Sequence, residues 1–157
     1  YGDSGNLKYE DIAIPDLEDN KLLVKIVAVS VNHLDIKKAS GSMKDSITLP
    51  WIPGYDFAGI VETSGKNVKG FAKGDEVYGN CNGGSYAEFL SITPDTVMLN
   101  PANLSFVEAA SVPHVSETAY QAIYTHGELA SGQRVLIHGA AGAVGAYAVQ
   151  FAHQLNA

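Results

Sequence analysis

The run Gly139-Ala-Ala-Gly-Ala-Val-Gly145 consists of small residues that let backbone N–H groups approach an anion closely. Two neighbouring segments must hold such a loop. Val135-Leu136-Ile137 is short, apolar and partly β-branched, which predicts a buried strand. After the loop, Val144, Ala148, Phe151 and Leu155 recur at helical spacing and predict one buried helix face. Strand, small-residue turn and amphipathic helix together open a dinucleotide-binding unit. The loop amides and the positive helix N-terminus would receive a pyrophosphate. Against the pattern G-x-G-x-x-G the aligned run is Ala140 to Gly145, with alanine at the first glycine. The competing reading of the same residues is steric: small side chains that let a helix pack tightly on a strand.

Composition narrows the class. The chain has 157 residues, 46% of them hydrophobic and 17% charged, which fits a globular domain with a proper core or parts of two. A net charge of −7 with only 10 Lys+Arg argues against a nucleic-acid or anionic-membrane partner. No apolar run approaches the roughly 18 residues of a membrane span, and no basic-then-apolar leader opens the sequence. The single Cys81 excludes an internal disulfide and fits a reducing, cytoplasmic setting. The sequence starts at Tyr1 and stops at Ala157, where a first βα unit would hand over to a second strand. It reads as a fragment of a longer protein, because one βα half-unit cannot build a parallel sheet.

Ahead of the loop, turns and short strands dominate. Tyr1–Asn20 reads as a turn, a short strand around Lys8–Ile14 and another turn. Lys21–Val31 is apolar on both faces and predicts a central strand. Asn32–Lys38 then fits one or two helical turns. A proline-stiffened turn, Leu49–Asp56, leads into a strand over Phe57–Thr63. A turn pair over Gly65–Gly74 precedes strands at Glu76–Tyr78 and Ser85–Ile92. Such spacing predicts a small barrel or sandwich. Ser105-Phe-Val-Glu108 is a capping box for a short helix to Ala110. Ser116–Leu129 predicts a second helix with Ala119, Ile123 and Ala122 on its buried face. The division falls between a β-rich part, residues 1–112, and an α/β part, residues 113–157.

Four stretches carry a family resemblance: Val31-Asn-His-Leu-Asp35, Pro53-Gly-Tyr-Asp-Phe-Ala-Gly59, Glu117-Thr-Ala-Tyr120, and Gly132 through Gly145 followed by Gln150. In that order they resemble the medium-chain dehydrogenase/reductase superfamily over nearly the whole chain, and within it the zinc-independent NADPH:quinone oxidoreductase branch. The resemblance implies a mixed α and β fold, a GroES-like β-barrel followed by the start of a Rossmann α/β domain. Two positions depart from the signature: Ala143 stands where a second glycine is usual, and His153 where Lys, Arg or Ser is common.

The zinc-dependent members bind their metal through Cys, His and a further Cys or Asp. Here Asn32 stands at the Cys position and Tyr55-Asp56 at a His-Glu pair. A neutral amide is a poor ligand and a phenol must first ionise, so only Asp56 is a usable donor type. Residues 79–84 form a short loop with one cysteine in place of a four-cysteine lobe. No metal site is therefore expected. Without a Lewis acid, hydride transfer needs an acceptor that is already electrophilic, a quinone or an enone, rather than an alcohol.

By resemblance, Asn32, Asp35 and Tyr55 are the candidate catalytic residues. Asn32, Thr118, Gly139, Ala140, Gly142, Ala143, Val144 and Gly145 are the candidate cofactor contacts. The implied cofactor is NADPH, with NADH open, since the residue that decides lies about 20 residues past the loop. The implied substrate is a small quinone or enone, and the implied assembly of the parent protein is a homodimer. Each residue also has a structural reading. Asn32 and Asp35 can cap the helical turn after the strand, Thr118 can be an ordinary first-turn residue, and Tyr55 can be buried packing. The five histidines share no metal-ligand spacing, and Cys81 has no activating neighbour. A nucleotide-binding structural or regulatory protein without turnover is the alternative from another class. Residues 1–157 by themselves are expected to hold an ordered barrel, with a less protected tail and no turnover.

Overall fold

The computed structural model describes residue 2 and residues 7–157, so the turn expected around Gly5 lies outside the described residues. The chain forms two compact units that divide between Ser111 and Val112.

The first unit is built on one antiparallel sheet. Its strands are β1 (Leu22–Val29), β2 (Asp56–Ser64), β3 (Glu76–Asn80), β4 (Phe89–Ile92) and β5 (Val97–Leu99), in the order β4-β1-β2-β3-β5. The short strand β5 has no counterpart in the sequence reading. Leu22, Val24, Phe57, Val61, Val77, Leu90, Ile92 and Val97 form the core on one face. β1 pairs with β2 from Leu22 opposite Ser64 to Val29 opposite Phe57, with an irregularity between Ile26 and Ala28. Two residues of β1 there oppose one of β2, a bulge that re-aims the strand. Ile26 packs with the first core, whereas Ala28 turns to the other face. There it meets Ala58, Ala109 and Ala110 beneath α2 (Phe106–Ala110). The capping box of α2 is present: Ser105 Oγ accepts the Glu108 N–H, and the Glu108 carboxylate accepts from Ser105. These hydrogen bonds hold the Glu108 carboxyl below its ordinary range.

Helix α1 (His33–Ala39) follows β1 directly, as the residue pattern predicts. Other expectations need correction. Lys8–Ile14 is not a strand: Tyr9, Ile12 and Ile14 are exposed and no ladder includes them. β1 lies between two strands, yet only Leu22, Leu23 and Val24 of it are buried. Val27 and Val29, and Val31 beyond the strand, stand in solvent because β4 pairs only with Leu22–Lys25. Ser85–Glu88 is loop rather than strand, since the Tyr86 N–H bonds to the Pro53 carbonyl and not to a ladder.

The second unit packs α3 (Pro113–Tyr120) and a π-helical continuation (Gln121–His126) against α4 (Ala143–Gln154). Proline at the first position starts α3 three residues earlier than expected, since the N–H it lacks is not needed there. Ala119, Ile123 and Ala148 are the buried centre, with Tyr124, Tyr147, Phe151 and Leu155 around them. Ala122 is exposed, contrary to expectation, because the wider π turn rotates it outward. Val144 also lies on the open side of α4, where Gly145, Ala148 and Ala152 take the buried positions. Val135–Ile137 has no regular secondary structure and is not a buried strand: no described segment pairs with it, and Leu136 is 80% exposed.

Candidate functional site

The end of β1, the start of α1 and the turn before β2 converge on two buried carboxylates. Asn32 is the N-cap of α1, in extended conformation. Its backbone N–H donates to Asp35 Oδ2 at 2.8 Å, and the Asp35 N–H donates back to the Asn32 carbonyl at 3.0 Å. Asp35 is 4% exposed and does more than cap the helix. Its Oδ1 accepts the Gly54 N–H at 2.9 Å, and the Tyr86 hydroxyl lies 3.1 Å from Oδ2. That hydroxyl also reaches the Ser30 carbonyl at 3.2 Å, so its one proton is shared. Burial, then the Asp35 charge, push the Tyr86 phenol well above its ordinary range. Tyr86 is a permanent donor here.

The second carboxylate, Asp56, is 1% exposed. Its Oδ2 accepts the Ser30 hydroxyl and, at 2.8 Å, an Asn32 Nδ2 proton. Asn32 Nδ2 also donates to Ser30 Oγ at 3.0 Å. Ser30 and Asn32 share a side of the chain because side chains two apart on an extended segment do so. Gly54 adopts φ +96°, and an added Cβ would collide with Ser85 Oγ and the Tyr86 ring, which explains glycine before Tyr55. The Tyr55 ring is buried under the Lys38 ammonium, 4.9 Å from its centroid. The Tyr55 carbonyl accepts the Cys81 N–H at 2.7 Å and its thiol at 3.2 Å.

The loop in the second unit is built by close approach. Gly139 turns at φ +73°, and its carbonyl accepts the Gly142 N–H at 2.9 Å. Gly142 is the N-cap of α4, and the first bond within the helix runs from Ala146 N–H to Gly142 O. The amides of Ala143, Val144 and Gly145 therefore precede any intrahelical acceptor and point from the helix start. Gly145 is buried directly under the Gly139 carbonyl, and a Cβ there would overlap it. Thr118 is exposed on α3, its hydroxyl donating to the His114 carbonyl at 2.8 Å.

The structure thus brings Asn32 and Asp35 together in the first unit, with Tyr55 buried on the same turn as Gly54. It gathers Gly139, Ala140, Gly142, Ala143, Val144 and Gly145 into one loop and helix start in the second. Sequence reasoning missed Ser30 and Tyr86, and weighed Asp56 only as a metal ligand. The i, i+2 relation of Ser30 to Asn32 was the available signal. Among the described residues, no group of three or more His, Cys, Asp or Glu side chains could hold a metal ion.

Residues 18–102, more than half of the chain, match the Alcohol dehydrogenase GroES-like domain. The chain belongs to that family. This GroES-like domain and the segment after it are 41% identical to a 2-methylene-furan-3-one reductase of Solanum lycopersicum, over 97% of this chain and 42% of the relative. They are 35% identical to a chloroplastic NADPH-dependent alkenal/one oxidoreductase of Arabidopsis thaliana, over 97% and 42%. A solved quinone oxidoreductase from Coxiella burnetii superposes with a TM-score of 0.91 at 36% identity, over 99% of this chain and 51% of that one. The chain spans about half the length of the relatives it matches. The GroES-like domain therefore sits, with its following helices, in the medium-chain dehydrogenase/reductase superfamily.

Two outcomes follow. Gly145→Ala should lower unfolding stability by about 1–2 kcal/mol in urea titrations: overlap with the Gly139 carbonyl outweighs the roughly 1 kcal/mol of helix propensity that alanine gains. Equal or greater stability would contradict the close approach. Burial pushes the Cys81 thiol up to about 11, so the thiolate is scarce at neutral pH. Alkylation by iodoacetamide at neutral pH should run about a hundredfold slower than for an exposed cysteine and rise about tenfold per pH unit up to that value. A rate that levels off below pH 9 would contradict it.

Proposed function

We propose that this chain supplies the barrel and the opening of the Rossmann unit of a reductase that passes a hydride from NADPH to a quinone or an activated alkene, without zinc. The carrying observation is the donor set around Asn32. Where a metal would need thiolate or imidazole, this chain has an amide whose NH2 group donates to Asp56 and Ser30. Such a site offers hydrogen bonds and position but no Lewis acid, which suits an acceptor that delocalises negative charge as hydride arrives. The printed names of the relatives, a furanone reductase and an NADPH-dependent alkenal/one oxidoreductase, support the same substrate class.

In this reading the bound dinucleotide supplies the hydride, and the chain supplies its seat. The Gly139–Gly145 loop is folded tightly on itself at Gly145, and the amides of Ala143, Val144 and Gly145, which have no intrahelical acceptor, are the donors a pyrophosphate would meet. By resemblance, Asn32, Asp35 and Thr118 are the proposed contacts of the nicotinamide nucleoside. Tyr55, buried against the Lys38 ammonium, is the third proposed catalytic-site residue on the barrel. A homodimer in a reducing, cytoplasmic compartment completes the reading.

The test is steady-state turnover by an enzyme of the relatives' length that contains this chain. It should oxidise NADPH with a small quinone or enone, keep that rate after dialysis against a zinc chelator, and fail to oxidise simple alcohols with NADP. Tight NADPH binding with no oxidation would point instead to a binding protein. Loss of activity on chelation, restored by zinc, would overturn the zinc-free reading.

A further inference from the structure

Asn82 lies exposed in the loop after β3, and the residue that follows it is glycine. We propose that Asn82 is a site of spontaneous deamidation, with the Gly83 nitrogen as the nucleophile, and that its isoaspartyl product releases the turn over residues 52–55. Neither step depends on the reductase reading, and every residue involved belongs to the first unit.

Ring closure needs a main-chain amide that no side chain shields and no carbonyl holds, beside an asparagine side chain free to turn onto it. Among the described residues, the amides after Asn20, Asn67, Asn80, Asn103 and Asn156 each donate to a backbone carbonyl at 2.7–3.1 Å. Asn100 precedes proline, which has no N–H, and the buried Asn32 amide donates to Asp56 and Ser30. Gly83 differs. Its N–H meets no backbone carbonyl among the described residues and lies beside the Cys81 sulfur, a weak acceptor. Hydroxide takes the Gly83 N–H proton, and the nitrogen bonds to the side-chain carbonyl carbon of Asn82. The bond from that carbon to NH2 breaks, and the nitrogen leaves as ammonia with a proton from water. Water then opens the cyclic imide. Opening at the side-chain carbonyl leaves aspartate. Opening at the main-chain carbonyl leaves isoaspartate, in which the chain runs through the side chain and gains one methylene, about 1.5 Å of contour. The loop has no slack for it. The Cys81 N–H holds the Tyr55 carbonyl at 2.7 Å and the Gly84 N–H holds the Ile52 carbonyl at 2.8 Å, one clamp on each side of the new link. Between them Gly83 has φ +97°, and an added Cβ would lie 2.5 Å from Trp51 Nε1. Lengthening therefore breaks a clamp and frees the turn that carries Gly54 and Tyr55.

The test is to warm the 157-residue chain at mildly alkaline pH and map its peptides by mass spectrometry over time. Asn82 should convert at least about tenfold faster than Asn20, Asn67 or Asn103, each of which must first break a hydrogen bond and close past a side chain. The rate should rise with pH, because the nucleophile is the deprotonated amide. An isoaspartyl methyltransferase with labelled methyl donor should mark the same peptide. As that label accumulates, the Tm of the chain should fall. The emission of Trp51, the single tryptophan, should shift to the red as its contact with Gly83 opens. Asn82→Ser, aged in the same way, should take no label in this peptide and keep its Tm. Asn82→Asp supplies the new charge without the longer chain and should start with the Tm of the fresh unsubstituted protein. Conversion at Asn82 no faster than at the other three asparagines overturns the site. Isoaspartate at position 82 with Tm and Trp51 emission unchanged overturns the release of the turn. So does an Asn82→Asp variant destabilised as far as the aged chain, since charge alone would then account for the loss.

Discussion

The Asp35 carboxylate is the joint on which the barrel side of the site depends. Three donors far apart in sequence reach it: the N–H of Asn32, the N–H of Gly54 and the hydroxyl of Tyr86. A buried carboxylate is tolerated only when its oxygens are met by donors, and here each donor comes from a different segment. One precedes α1, one lies in the turn before β2, and one lies in the loop before β4. Each backbone or hydroxyl donor left unmet would cost about 1–3 kcal/mol, so the three segments are held to one geometry. Asp56 then sits beside Asn32 by covalent consequence, two residues after Gly54. The amide–carboxylate pair at the centre of the proposed chemistry is thus a product of how Asp35 closes the fold.

Close backbone approach is the second constraint, and it acts in both units. Gly59 lets β2 pass the Lys25 carbonyl, Gly54 lets the turn clear Ser85 and Tyr86, and Gly145 lets α4 lie on the Gly139 carbonyl. At each position a methyl group would occupy space that backbone or a packed side chain already fills. The glycines of the nucleotide loop are therefore used in two ways. Gly139 supplies a positive φ, whereas Gly145 supplies absence of volume. Alanine at 140 and 143 is compatible with this division, because both residues are exposed.

Much of this was legible in the residue pattern. The β-branched run of β1, the capping box at Ser105, the Pro-Gly-Tyr-Asp turn and the helix after the glycine loop all encode themselves locally. The errors share a cause, which is that burial and pairing are settled by neighbours and not by the segment. Val135–Ile137 has the composition of a buried strand, but no described strand lies beside it. Lys8–Ile14 fails the same way. The second half of β1 is as apolar as the first but keeps only β2 as a partner where β4 ends. Within the site, Asn32 and Asp35 stood out by motif. Tyr86 did not, because its role depends on a hydrogen bond across 51 residues of sequence. Asp56 was visible as a carboxylate but not as the partner of an amide, since that relation needs the bulge and the cap to bring β1 and β2 into register.

The central claim is that hydride passes from a nicotinamide to an already electrophilic acceptor in a site without metal. The most direct measurement is the fate of deuterium. Zinc-depleted enzyme should be given NADPH labelled on one face of C4 and an α,β-unsaturated ketone, and the product examined by NMR. The account predicts one deuterium at the β-carbon of the product from one labelled face and none from the other. Product without label from either face, or transfer that requires added zinc, would contradict it.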